Sequence, residues 1–294
     1  MAIRYVEPLY RPPSEARSLI LQATYGCSHN RCAFCVSFQG KPFRARPEAE
    51  LFAEIDWAGG HIPFASRVFL ADGDALVLST RRLLRILERL RARLPSLERV
   101  TAYASPQNLR KKSIEDLRAL KEAGLSMLYV GVESGDDEIL ARASKGATAD
   151  EMIALCAKPT QAGMDLSVTV ILGLGGPRLS QRHALGTARV LDAIAPRYAS
   201  ALTLMLGPRD PSFEECFGDP AWRMLSPLEI LAECRAMLAA MQADGVTFHA
   251  NHASNYLPLS GELQRDKARL ISLIDSVLDD PDRARLRPEF LRRL

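Results

Sequence analysis

Cys27, Cys32 and Cys35 fall within nine residues, in the run Cys-Ser-His-Asn-Arg-Cys-Ala-Phe-Cys, and make up half of the chain's six cysteines. Thiolates at this spacing suit Zn²⁺ or an iron-sulfur cluster, and three of them on a cubane of four irons leave one iron open to another ligand. A structural zinc site closes with a fourth ligand; His29 and His61 are the available imidazoles, and no second Cys/His pair follows nearby. Ligand chemistry alone leaves both metals open. Cys156 and Cys234 fall on apolar helical stripes and are expected to be buried and inert, whereas Cys216 stands in a polar loop. Three scattered thiols form no ligand motif, so no auxiliary cluster is expected.

Three further constellations carry groups able to meet a polar ligand. Asp72-Gly73-Asp74 sets two acceptors around a residue that lets backbone approach closely, although Asp-Gly is also an ordinary turn. Gly131-Val-Glu133-Ser-Gly135 offers a carboxylate to hydroxyl groups, or else a helix cap. Thr169-Val-Ile171-Leu-Gly173-Leu-Gly175-Gly176 is either a nucleotide-facing strand end or a tight strand-to-helix turn. A dinucleotide fold would place its glycine fingerprint after the first strand, and none is there. Tyr103 and Ser105 end another strand. Lys41, Arg44 and Arg46 follow the cysteines, and His249-Ala-Asn251-His252-Ala-Ser-Asn255-Tyr256 forms a polar run between two helices. These two segments are candidates for substrate contact or plain capped loops.

The elements that must position these groups are legible as alternating short apolar runs and longer helical stretches, the pattern of βα units around a parallel sheet. Six strands are expected at residues 18–24, 67–71, 99–104, 127–132, 166–172 and 201–206. Helices open at Ser79, at Ser113 with Asp116, and at Thr148 with Glu151, a capping box that ends near Gly163. Six units predict an α/β fold, a partial (β/α)6 TIM-like barrel, since a closed ring needs eight; a doubly wound sheet is the rival. The cysteine run, Asp72–Asp74, Tyr103 with Ser105, Glu133 and the Gly173–Gly176 turn then lie at the C-terminal ends of strands, where parallel α/β folds place their sites. The expected domains are 1–210, the barrel with a lead-in over 1–17, and 211–294, a mostly helical extension closing the mouth. The extension's main helix starts at Ser226-Pro-Leu-Glu229.

At 294 residues, 47% hydrophobic and 25% charged, the chain can bury a large core, and its formal charge of +3 gives no signal for nucleic acid. The N-terminal residues carry charges and prolines where a secretory signal needs an apolar run, and no long uncharged apolar stretch exists, so a cytoplasmic protein is expected. A disulfide framework is not expected in that compartment.

In strand order, these motifs resemble the radical S-adenosylmethionine (SAM) superfamily, in the subgroup similar to elongator-type and oxygen-independent coproporphyrinogen oxidase-like proteins, over most of residues 18–210. Cys27, Cys32, Phe34 and Cys35 match the three cysteines and the aromatic before the last. The spacing Cys-x4-Cys-x2-Cys is one residue longer than the commonest form, and the polar stretch Ser28–Arg31 is expected to absorb it. The resemblance implies a [4Fe-4S] cluster on these sulfurs. Its fourth iron would chelate SAM, which one electron splits to a hydrogen-abstracting 5′-deoxyadenosyl radical. It further implies Asp72, Gly73 and Asp74 at the methionyl ammonium, Glu133 at the ribose, and Ile171 and Gly173 beside adenine; Thr169 and Gly176 replace a glycine and a glutamate of the family pattern. Tyr103 and His252 are the candidate catalytic residues. The implied partners are a small-molecule substrate and a one-electron donor such as flavodoxin or ferredoxin, with no membrane. The competing expectations are a tRNA-modifying enzyme of the same superfamily and a non-catalytic zinc or iron-sulfur interaction module.

Overall fold

The computed structural model describes residues 2–38, 40–207, 211–283 and 285–293. The chain forms two compact units: Met1–Asn30, Ser37–Val130 and Leu155–Leu166 make the first, and Arg31–Val36, Gly131–Ala154 and Ser167–Leu294 the second. The domain boundary expected at 210 falls beside residues 208–210, which lie outside the described ones.

The first unit contains β1 (Leu19–Gln22), β2 (Thr24–Tyr25), β3 (Arg44–Ala45), α1 (Glu48–His61), β4 (Arg67–Ala71), α2 (Thr80–Arg93), β5 (Arg99–Ala104), α3 (Pro106–Arg110), α4 (Ile114–Glu122) and most of β6 (Leu125–Glu133). Strands β1, β4, β5 and β6 pair in that order, all parallel, with Leu19 opposite Val68 and Val68 opposite Val100. Residues Val68 to Ala71 are fully buried, the continuous apolar run that a strand covered on both faces requires. Helix α2 supplies one cover: Ser79 caps it by accepting from the Arg82 amide at 3.3 Å, and Leu83, Ile86, Leu87 and Leu90 turn into the core. Strands β2 and β3 pair antiparallel, closing residues 26–43 into a loop with a fixed base.

The second unit contains α5 (Asp137–Arg142), the start of α6 (Ala149–Gln161), whose remainder belongs to the first unit, and most of β7 (Asp165–Leu172), then α7 (Gly176–Ile194), β8 (Tyr198–Thr203), α8 (Phe213–Phe217), α9 (Pro227–Ala240), β9 (Val246–Ala250), β10 (Leu259–Leu263) and α10 (Lys267–Asp279). Strands β7, β8 and β9 run parallel, and β10 returns antiparallel on β9. All six expected strands are present. The last is displaced to Tyr198–Thr203, because Leu204 and Leu206 leave the sheet to pack in an aromatic cluster.

The segment from residue 211 onward holds the helix expected at Ser226, whose hydroxyl accepts from the Glu229 amide. It also adds the hairpin β9–β10. His249 therefore stands on a strand and not in the loop expected there, because Val246, Phe248 and Ala250 alternate inward around it.

Candidate active site

In the first unit, Cys27 follows directly from the β2–β3 ribbon, and the Asp72-Gly73-Asp74 segment that leaves β4 holds it. The Asp72 carboxylate is fully buried. It accepts from the Gly26 amide at 3.0 Å and from Gln22 Nε2 at 3.2 Å, and pairs with Lys41 Nζ at 2.7 Å. Asp74, also buried, accepts from the Ser28 amide at 3.0 Å and from the Ser28 hydroxyl; burial, the largest effect, pushes its pKa up. Both carboxylates thus brace the ligand loop on either side of Cys27. Between them, a Cβ on Gly73 would come within 2.6 Å of the Phe38 ring and 3.0 Å of Cys27 Cβ, so glycine is required for that approach. The polar stretch expected to absorb the extra residue is no slack tether. Asn30 takes the left-handed conformation (φ 40°) and donates to the Phe38 carbonyl at 3.2 Å, a built turn.

Lys41 and Arg46, expected as possible substrate contacts, are buried structural cations. Lys41 also donates to the Val6 and Pro8 carbonyls, at 2.6 and 2.7 Å, and Arg46 pairs with Glu54 at 2.6 Å. Arg44 is exposed, its guanidinium 4.9 Å from the Tyr25 ring centroid. Tyr103 is half-buried on β5, edge-on to Phe69 with centroids 5.0 Å apart. Burial, then the charges of Glu15 and Asp72, push its phenol above the usual range, so it is an O–H and not a phenolate. Ser105 caps α3, with its side chain accepting from the Asn108 amide.

In the second unit, Cys32 and Cys35 sit in one turn, with the Cys35 amide donating to the Cys32 carbonyl at 3.1 Å. Ala33 between them donates its amide to the Ala143 carbonyl at 2.9 Å and joins the cluster of Leu174, Phe213, Phe217 and Trp222. Phe34, the aromatic before the last cysteine, and Ile171, expected beside adenine, pack against that same cluster. Gly173, the other residue expected there, has φ +85°, and its amide donates to Glu233 Oε1 at 2.6 Å.

Glu133 ends β6 at φ +69°, a backbone conformation costly for a residue with a side chain. Its carboxylate curls back over Gly131, where a Cβ would lie only 1.9 Å from Oε1, and accepts from Lys145 Nζ at 2.8 Å. Both partners are about nine-tenths buried. Ser134 bonds His183 Nδ1 at 2.8 Å. His252 lies after β9, where its Nδ1 accepts from the Ser254 amide at 3.1 Å. The neutral ring therefore carries its proton on Nε2, and burial, then the nearby Arg287 charge, hold its pKa below the ordinary value. Asn255 bonds Thr203 Oγ1 at 2.9 Å and the Ala201 carbonyl, serving as a structural link between the 251–256 segment and β8.

Sequence reading missed Lys145, His183 and Glu233. Lys145 belongs to no spacing motif. Glu233 left one trace, an acidic residue beside Cys234 on the apolar stripe of α9, where burial pushes the Cys234 thiol up to about 12.

The donor chemistry of the three neighbouring cysteines suits a cubane. Cys27, Cys32 and Cys35 are half-exposed thiols outside any disulfide, whereas Cys156 and Cys234 are buried. Among the described residues no three His, Cys, Asp or Glu side chains gather as ligands of a single ion would; a cubane takes its thiolates at three separate irons. Among the described residues no helix is long and apolar enough to cross a membrane.

Residues 21–190 match the Radical SAM superfamily. The heme chaperone HemW of Bacillus subtilis is 24% identical over 197 residues, covering 66% of this chain and 50% of the relative. Coproporphyrinogen III oxidase (HemN) from Escherichia coli, a radical SAM enzyme, superposes with a TM-score of 0.56 at 18% identity, over 76% of this chain and 52% of that one. The radical SAM methyltransferase TsrM from Kitasatospora setae, with tryptophan and a SAM analogue bound, gives 0.56 at 20% identity, over 73% and 42%. These likenesses show the partial-barrel fold, and the chain spans about half the length of the relatives it matches. A match over more than half of the chain settles the metal left open by the cysteines alone: the chain belongs to the radical SAM superfamily and is an enzyme of [4Fe-4S] and SAM chemistry.

Proposed function

We propose that this enzyme abstracts hydrogen from a small organic molecule in the cytoplasm, taking its electron from a flavodoxin or ferredoxin. When bound, the [4Fe-4S] cluster and SAM supply a 5′-deoxyadenosyl radical. The observation that carries the site assignment is the convergence of Phe34 and Ile171 on one apolar cluster, with Cys32 and Cys35 flanking Phe34 in the chain. An adenine ring needs such an apolar face, together with main-chain groups held at its edge.

In this reading Cys27, Cys32 and Cys35 hold the cluster. Asp72 and Asp74 keep Gly73 beside Cys27, where main-chain carbonyls receive the methionyl ammonium. Lys145, oriented by Glu133, supplies a cation for the methionyl carboxylate, and Glu133 keeps acceptor capacity for a ribose hydroxyl. Tyr103 can donate, and could yield a hydrogen atom, as a protonated phenol. His252 offers Nε2–H to a substrate within the extension, residues 211–294, which selects the substrate. The formal charge of +3 over 294 residues favours a small molecule over tRNA.

Anaerobic incubation with reductant and SAM tests the reading. Wild type should release 5′-deoxyadenosine and Cys32→Ala should not. A wild-type protein that holds one zinc per chain and ignores SAM would overturn it.

A further inference from the structure

Helix α9 reaches the strand end at Gly173 through two side chains on one face, Ile230 and Glu233. Ile230 lies so close that a Cβ on Gly173 would meet its Cδ1 at 2.8 Å. Glu233 is buried, and both its oxygens are engaged: Oε1 accepts from the Gly173 amide at 2.6 Å, and Oε2 accepts from the Ser180 hydroxyl at 2.6 Å. His183, on α7, is buried beside it, with Nε2 at 3.7 Å from Glu233 Oε1. A carbonyl can only accept, so Nε2–H donates to the Ile171 carbonyl at 3.0 Å, and Nδ1 is left to accept from the Ser134 hydroxyl at 2.8 Å. The Leu172 carbonyl between these points accepts from the Leu204 amide at 2.9 Å.

The consequence is a run of fixed main-chain groups. Ile171 O, Leu172 O and Gly173 N are each pinned, two of them by one buried imidazole-carboxylate pair from two different helices. A buried carboxylate costs several kcal/mol unless hydrogen-bonded, and here each oxygen has a partner, the Gly173 amide of the strand end and the Ser180 hydroxyl.

We infer that Glu233, acting with His183, is a positioning residue for SAM. It fixes the Ile171–Gly173 edge against which the nucleoside lies, so that α9, in the C-terminal extension, sets the enzyme's affinity for SAM. The inference rests on the nucleoside site proposed above, and Glu233 touches no reacting atom.

The test is equilibrium binding of SAM to cluster-loaded, unreduced protein under anaerobic conditions, together with hydrogen exchange of the peptide spanning residues 169–175. Glu233→Ala should weaken SAM binding about tenfold and speed exchange there, with iron content and cluster absorption unchanged, as for other residues that orient a ligand-contacting group. Glu233→Gln, which keeps an acceptor for the Gly173 amide, should recover affinity to within about threefold of wild type. Should Glu233→Ala fail to hold a cluster, His183→Gln frees the Ile171 carbonyl with Glu233 in place and should also weaken binding. Wild-type affinity in Glu233→Ala, or in His183→Gln where that variant stands in, overturns the inference while leaving the proposed function intact. Wild-type protein that binds no SAM would instead remove the nucleoside site on which it rests.

Discussion

Lys145 Nζ donates to Glu133 Oε1 at 2.8 Å, with both side chains about nine-tenths buried and the acid held at φ +69°. Removing one partner of such a pair leaves an uncompensated buried charge, which costs about 3 kcal/mol or more. Lys145→Met should therefore lower stability toward denaturant by that order and weaken SAM binding. Lys145→Met with unchanged SAM affinity would reduce the pair to a structural one.

Gly73→Ala should lower the iron retained after anaerobic reconstitution, because the new methyl meets Phe38 and Cys27 on the ligand loop. Gly60→Ala, a helical position with nothing within 4 Å of the added carbon, is the control, and should raise stability by about 0.5–1 kcal/mol. Equal iron content in both variants would show that the close approach at Gly73 does not shape the cluster site.

Trp222 packs on Phe213 with ring centroids 4.8 Å apart and donates its indole N–H to the Leu174 carbonyl at 3.2 Å. Trp222→Ala should cost about 3–5 kcal/mol in urea denaturation followed by circular dichroism, through the cavity it leaves. Trp222→Phe keeps most of the packing and forfeits the hydrogen bond, at about 1 kcal/mol. Equal losses would place the contribution in the indole N–H.

His252 gives a pH signature. Its pKa in the folded chain lies below the ordinary 6.5, so as pH falls through that value the unfolded chain takes up a proton that the folded chain refuses. Stability should fall as pH drops below about 6.5, until the folded-state value is passed. His252→Asn should flatten that part of the thermal stability profile. A variant that tracks wild type from neutral pH to pH 5 would assign the slope to other groups.

Much of this architecture was legible because it is local. The pattern of β4 and β5 gave their limits to the residue, and the cap at Ser113 is the hydrogen-bonded box its sequence spells. Illegible parts join residues far apart in the chain. Glu233 meets Gly173 across sixty positions, and nothing in an apolar helix stripe announces which main-chain amide its acid will find. Asp72 and Asp74 read as ligand acceptors, yet the same acceptor chemistry is satisfied by loop amides forty-six residues away. Strand β9 was hidden by its brevity, five residues with an imidazole among them.

The bracing of Gly26 and Ser28 by two buried carboxylates bears on how the metal centre matures. Ordering a residue's backbone costs about 1–2 kcal/mol, and that cost is normally met when a delivered cofactor first recruits a loop. In the proposed site Cys27 is flanked by two residues that the fold itself holds, so the cost of ordering that stretch is met before any cofactor arrives. The acids at the exit of β4 thus act before loading, as fasteners of the empty loop.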